Sequence, residues 1–287
     1  MANLLSLKRR IIAAQNVSKT TKAMQMIAAS KLKRAQDAAF LSRPYSDRLI
    51  ILLQSITART EKRFHHPYMK TPKNTNKDIL IILAPDKGLS GGLTSNLIRE
   101  VYNCNQKRRE TIYLTVGKKI ETYVSRLDRE IVGSFKFGTT LPNFDMVFPI
   151  LAIIKDYFLN DKVKSVKILY SKFISVFLQK QEFLTLLPIQ LPQDQQFAPY
   201  PPSLFEPSYK VLFPPLLNQY LEITIFQLLL EAYASEQGAR MIAMQNATNN
   251  AIDITSELKL EYNKARQEKI TNEILDISST TFSYAYE

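Results

Sequence analysis

The sequence predicts an α/β protein: a central Rossmann-like domain flanked by long N- and C-terminal helices that pair with each other. Three observations predict it. Residues 1–43 contain neither Gly nor Pro, residues 216–287 contain only Gly238, and the interval between them alternates compact apolar runs with helical patterns. Gly and Pro punctuate chains, so their absence over a long interval signals continuous helix. At about 1.5 Å per residue, residues 1–43 would span about 65 Å and residues 216–277 about 93 Å, against about 30 Å for a small domain. Two helices of that length cannot both hide inside a globule.

The N-terminal segment places apolar or small residues at Leu4, Leu7, Ile11, Ala14, Thr21, Met24, Ala28, Leu32 and Ala35. That alternation of three and four is the pattern of a helix with one partnered seam. The C-terminal segment offers a matching stripe at Met244, Ala247, Ala251, Ile254, Leu258, Tyr262 and Ala265, resuming at Ile270, Ile274 and Ile277. Charge favours the pairing. Residues 1–43 hold nine basic side chains against Asp37 alone, and residues 216–287 hold ten acidic and five basic ones.

Between the helices, residues 79–84 form an apolar run bounded by Asn76-Lys77-Asp78 and Pro85, which reads as a buried strand. Gly88-Leu89-Ser90-Gly91-Gly92 then turns the chain into a helix over 94–102. A strand over 111–116, helices over 118–125 and 148–159, and a strand over 163–170 follow. Alternating strands and helices imply a mainly parallel sheet. Residues 173–178 and 182–187, split by Gln179-Lys180-Gln181, read as an antiparallel hairpin at its edge. Eight prolines in residues 188–215 mark an extended connection. The division expected is 1–63 for the N-terminal coil helix, 76–190 for the Rossmann-like domain, 191–215 for the Pro-rich connection and 216–287 for the C-terminal coil helix.

Composition excludes several classes. The longest uncharged apolar run, residues 79–85, falls far short of the roughly 18 residues needed to cross a membrane, and no secretory leader follows Met1. The single cysteine, Cys104, cannot form an internal disulfide, and His65 and His66 beside it are too few for a structural zinc site. Both histidines sit in a basic, Pro-flanked segment, which gives a catalytic triad little to use. The loop at 86–92 joins strand to helix, where backbone donors could hold a phosphate, yet it lacks the Gly-Lys-Ser/Thr ending of a P-loop and the dinucleotide glycine spacing. It reads as a tight turn. No cofactor and no metal is expected.

Net charge is +12, which predicts an acidic partner without naming it. Lys8-Arg9-Arg10 and Lys31-Leu32-Lys33-Arg34 suit nucleic-acid phosphates, a solvated helix face, or a surrounding protein with acidic loops. Met24, Met26, Met241 and Met244 are flexible and polarizable, suited to surfaces that meet more than one partner shape.

Longer blocks are more specific. Leu7-Lys8-Arg9-Arg10-Ile11 and the run from Gln15 through Val17-Ser18-Lys19-Thr20-Thr21-Lys22-Ala23-Met24-Gln25-Met26 to Ala28-Ala29-Ser30-Lys31-Leu32 strongly resemble the N-terminal helix of F-type ATP synthase γ subunits. Residues 86–96, then Ser235-Glu236-Gln237-Gly238-Ala239-Arg240-Met241, Ala247-Thr248-Asn249-Asn250, Tyr262-Asn263-Lys264-Ala265-Arg266-Gln267 and Ile270-Thr271-Asn272-Glu273 match in order. The resemblance implies a non-catalytic central rotor in which the two terminal helices form a long antiparallel coiled coil that turns inside the ring of α and β subunits. Its base would meet the ε subunit and the membrane ring of c subunits. Proton flow would turn the shaft, driving each β site in turn through ATP binding, synthesis and release.

The resemblance also implies residue roles. Lys22, Met24 and Lys31 fall on the helix surface facing β, and Arg266 and Gln267 on the pair that contacts a β loop. Arg43 and Tyr45, with Phe205 and Glu206, fall where the foot meets the c ring and ε. The complex would be peripheral on the cytoplasmic face of a bacterial inner membrane, or its organelle equivalent. Two features depart from the family: Ser278-Ser279-Thr280-Thr281 stands where a Gly-Gly-Ala run is usual, and the paired cysteines of green plastid relatives are absent. Two rival readings remain at this level, a basic coiled-coil nucleic-acid binder and a nucleotide enzyme using the Gly loop.

Overall fold

Long stretches of good helix formers and compact β-branched runs organise this chain. The computed structural model describes residues 4–59, 66–72, 75–107, 110–127, 129–190 and 209–284. The elements are α1 (Leu4–Arg59), β1 (Asp78–Leu83), α2 (Leu93–Lys107), β2 (Thr111–Val116), α3 (Lys118–Ser125), β3 (Ile131–Phe135), α4 (Val147–Leu159), β4 (Ser165–Phe173), β5 (Gln179–Leu187) and α5 (Tyr209–Tyr284). They fall into two compact units, one of Met1–Ile27 with Met241–Glu287 and one of Ala28–Arg240.

In the larger unit the strand order is β3-β2-β1-β4-β5. Pairs β1–β2, β1–β4 and β2–β3 are parallel, and β4–β5 is antiparallel. The expected mainly parallel sheet with an antiparallel edge is therefore present. Every residue of β2 and all but the first of β1 are buried, as strands covered on both faces must be. One face packs Ile79, Ile81 and Leu83 against Leu49, Leu53 and Ile56 of α1, Ile150 and Ile154 of α4, and Leu217, Leu221 and Leu229 of α5. The other packs Leu80 and Ile82 against Leu97 and Val101 of α2 and Ile120 and Val124 of α3. Gly117 closes the β2–α3 turn at φ 120°, and a Cβ there would stand 2.0 Å from the Ala84 carbonyl oxygen, so only glycine fits.

The smaller unit is a helix pair. Thr21 Oγ1 lies 2.7 Å from Thr248 Oγ1. The rest of the α1 portion runs back from Thr21 toward buried Leu7, and that of α5 runs forward toward buried Ala251 and Leu258, so the two are antiparallel. The seam on α5 is Met244, Thr248, Ala251, Thr255 and Leu258, all buried. Thr248 and Thr255 donate their hydroxyls to the carbonyls of Met244 and Ala251 four residues back, at 2.8 and 2.7 Å, which lets polar side chains occupy an apolar seam.

Several expectations need correction. Ile254, Ile270 and Ile274 are exposed, with Thr255 taking the seam position expected of Ile254. Helix α5 starts at Tyr209, ahead of the expected 216, with Pro214 and Pro215 inside it, and α1, which ends at Arg59 within the expected 1–63, carries Pro44 inside it. A prolyl ring removes a helix hydrogen bond at a cost of about 3 kcal/mol, and buried Leu49 and Leu53 after Pro44, or Phe213, Leu217 and Leu221 around the pair, offset that by packing. Residues 174–178, expected as a strand, form the tight β4–β5 connection, with Ile174 and Ser175 both bonded to the Leu178 carbonyl, so the antiparallel pair is β4 with β5. Strand β3 was not foreseen.

Candidate partner-binding surfaces

The two-helix unit hides one seam and exposes the rest. Leu5, Ile12, Val17, Met26 and Ile27 on α1, with Ile252, Ile254, Leu260, Ile270 and Ile274 on α5, stand open, Leu260 at 72%. Scattered apolar residues are ordinary on a surface, but this density on a narrow two-helix unit marks surfaces that other chains cover. Lys8, Arg9, Arg10, Lys19 and Lys22 are exposed on the same stretch of α1, with no acidic residue among positions 1–27. Among the described residues none of these five forms an ion pair. Their charge remains available to an acidic surface.

Lys22 and Met24 are exposed on α1, and Arg266 and Gln267 are exposed on α5. Arg266 lies 18 residues beyond the Thr21–Thr248 crossing, about 27 Å along the helix, so the fold does not bring these two pairs together. They are separate patches on one coil.

In the larger unit, Arg43 and Tyr45 are exposed on α1, with the Tyr45 hydroxyl bonded to Gln219 of α5. Burial raises the Glu231 carboxyl, the Phe173 backbone and then Lys172 draw it back, and Arg43 adds the smallest pull in the same direction. Lys31 is half-buried and donates from Nζ to the Thr139 carbonyl at 2.6 Å, so its ammonium is engaged within the unit. Phe205 and Glu206 lie outside the described residues.

The 86–96 and 235–240 blocks meet in this unit. Asp86 accepts from the backbone N–H of Lys118 at 2.8 Å, Phe137 at 3.3 Å and Gly138 at 2.7 Å, tying the Gly loop to the start of α3 and to the loop after β3. A carboxylate holding three amides beside the loop opposes phosphate binding there and gives the loop a structural task. Arg240 donates to Glu236 at 2.6 Å and reaches the Gly88 carbonyl at 3.4 Å. Glu236 is 4% exposed, and burial lifts its carboxyl above the usual range while Arg240 draws it back. Ser235 donates to the Ser171 carbonyl at 2.7 Å, and Tyr233 to the same Thr139 carbonyl that Lys31 uses. Sequence reading missed this network, although Glu236 and Arg240, four residues apart in a run with no other charge, were visible in it.

An antiparallel helix pair with apolar side chains open on its outer faces, in one chain with a five-stranded, mainly parallel sheet unit, is the class of fold these elements define. The ATP synthase family model matches residues 3–281. A chain called ATP synthase gamma chain in Dehalococcoides mccartyi (strain CBDB1) is 35% identical, covering 96% of this chain and 97% of its own length. A namesake in Stenotrophomonas maltophilia (strain R551-3) is 32% identical over 96% and 98%. A chain of the Euglena gracilis mitochondrial ATP synthase in rotational state 3 superposes with TM-score 0.71 at 14% identity, covering 98% of this chain and 94% of that one. One from the central stalk and c ring of the Tetrahymena thermophila enzyme gives TM-score 0.60 at 22% identity, over 79% and 99%. The chain belongs to the ATP synthase γ-chain family and is a non-catalytic stalk subunit of that assembly.

Proposed function

We propose that this subunit is the turning shaft of a proton-driven ATP synthase, with the two-helix unit held inside the α and β subunits. The observation that carries this reading is the outer surface of that unit, which combines exposed Leu, Ile, Val and Met side chains with five exposed cations. Apolar contact lets a covering ring seal against the coil, and the basic strip suits acidic β loops. Lys22 with Met24, and Arg266 with Gln267, are the two patches assigned to those contacts. Arg43 and Tyr45, with Phe205 and Glu206, are assigned to the foot against ε and the c ring, which would hold the complex on the cytoplasmic face of the membrane. No helix among the described residues is long and apolar enough to cross a membrane. Attachment through the c ring fits that.

The double substitution Arg266→Ala and Gln267→Ala tests the ring assignment, because both side chains are exposed and neither supports the seam. The expected result is lower ATP synthesis per proton translocated, or lower yield of complex, with the helix content of the free chain unchanged. Unchanged synthesis together with unchanged yield would remove these residues from the contact.

A further inference from the structure

His66 has no part in the partner surfaces, yet the fold gives it a defined place. It opens a single 3₁₀ turn, Pro67–Met69, and its Nδ1 accepts the backbone N–H of Tyr68 at 3.3 Å as the cap of that turn. The turn joins elements distant in sequence. The Tyr68 carbonyl accepts from the Ile189 N–H at 2.8 Å, just past β5, and the Tyr68 hydroxyl donates to Asn218 Oδ1 of α5 at 3.1 Å. Tyr68 itself is buried in the core that holds Ile79 and Ile81 of β1. The His66 ring is half-buried, with the Tyr68 ring 4.7 Å away and the Phe213 ring of α5 at 6.5 Å.

The cap and the ring's second proton compete for one atom. A neutral imidazole that accepts at Nδ1 carries its hydrogen on Nε2, so a further proton can enter only at Nδ1. That proton turns the acceptor into a donor, and two N–H groups then face each other where the bond was. The Tyr68 amide is left without its partner. Among the described residues no carboxylate offsets the new charge. The turn presents Tyr68, whose hydroxyl burial keeps protonated, and exposed Lys70. Helix α5 presents Phe213. Helix α4, which also touches the turn, carries Lys155 and Asp156, the latter held by Lys162 at 2.9 Å.

We infer that residues 66–70 form an acid-loosened clasp between the end of β5 and α5, closed while the His66 imidazole is neutral and released when Nδ1 takes a proton. Burial lowers the His66 value below its ordinary 6.5 in the folded chain, so the native state binds fewer protons than the unfolded one. The cap's contribution is therefore complete above pH 6.5 and is lost as pH falls through the folded value. The clasp belongs to the chain alone and does not rest on the rotor reading.

The test follows amide hydrogen exchange of the full chain between about pH 7.5 and about pH 5, corrected for the intrinsic rate. Opening at Tyr68 should rise several-fold on acidification, by up to about tenfold for each unit that the folded value lies below the unfolded one, while the amides of β1 and β2 stay protected. His66→Asn keeps a side-chain acceptor for the cap and cannot titrate, so its Tyr68 amide should show no such rise. His65→Asn should respond as the parent chain does. Imidazole NMR, with the two histidines told apart by His65→Asn, should show His66 titrating below 6.5, its neutral form bearing the hydrogen on Nε2. An equal rise in His66→Asn, a flat response in the parent chain, titration at or above 6.5, or a neutral ring with its hydrogen on Nδ1 would each overturn the inference. Loss of protection in β1 together with Tyr68 would overturn it too, since that reports unfolding of the whole unit.

Discussion

Replacing Arg240 by methionine keeps the side chain's length and packing while removing the guanidinium that meets Glu236 at 2.6 Å. The partner carboxylate is 4% exposed and Arg240 itself is largely covered, so Glu236 would be left as a charge without compensation. Breaking a buried pair from one side costs about 3–5 kcal/mol, whereas replacing both partners is often close to neutral. Burial already holds the Glu236 carboxyl above its ordinary value of 4.5, and Arg240 is the main influence pulling it down. Its loss lets the folded-state value climb further. A folded value above the unfolded one means that the native state binds more protons, so stability falls as pH rises from the unfolded value through the folded one. The deficit of Arg240→Met should therefore be smallest near pH 4.5 and grow toward neutral pH. Urea unfolding of the full chain, followed by circular dichroism, reads this directly. With a slope of about 3 kcal/mol per molar urea, the midpoint should drop by about 1–2 M at pH 7.5. The double variant Glu236→Gln with Arg240→Met should recover more than half of that. A drop below about 0.3 M, or a deficit independent of pH, would refute the reasoning.

Two further substitutions probe how the sheet unit is held. Asp86→Ala frees three backbone amides at once and should destabilise the unit by about 2–4 kcal/mol, with faster hydrogen exchange at Lys118, Phe137 and Gly138. Gly117→Ala places a Cβ against the Ala84 carbonyl in a strained backbone region, so a loss above about 3 kcal/mol, seen as low soluble yield or a collapsed urea midpoint, is expected.

The parts of the fold that local chemistry dictates were readable. Strand β2 and helix α3 coincide with the expected 111–116 and 118–125, because a fully buried run and a glycine turn leave few alternatives. Strand β3 escaped because Ile131-Val132 is short and followed at once by Gly133, and it exists through pairing with β2. The β4–β5 boundary slipped because Ile174, Phe177 and Leu178 are apolar yet exposed at a turn. Pro214 and Pro215 looked like a helix end since their penalty is local, while the packing that outweighs it comes from residues distant in sequence. The coil seam was legible at Met244, Ala251 and Leu258, but Thr248 and Thr255 were invisible as seam residues because their hydroxyls bond to their own helix. The family resemblance sets Lys31 on the helix surface facing β. Its bond to Thr139 spans 108 positions, which no local pattern records.

The rotor claim is tested most directly by fixing the α and β subunits to a surface, attaching an optical probe to the sheet unit through a cysteine introduced at exposed Lys119, with Cys104 replaced by Ser, and supplying ATP. Continuous rotation of the probe in one direction, stopping when ATP is exhausted, is the predicted result. ATP hydrolysis at full rate with the probe stationary would contradict it.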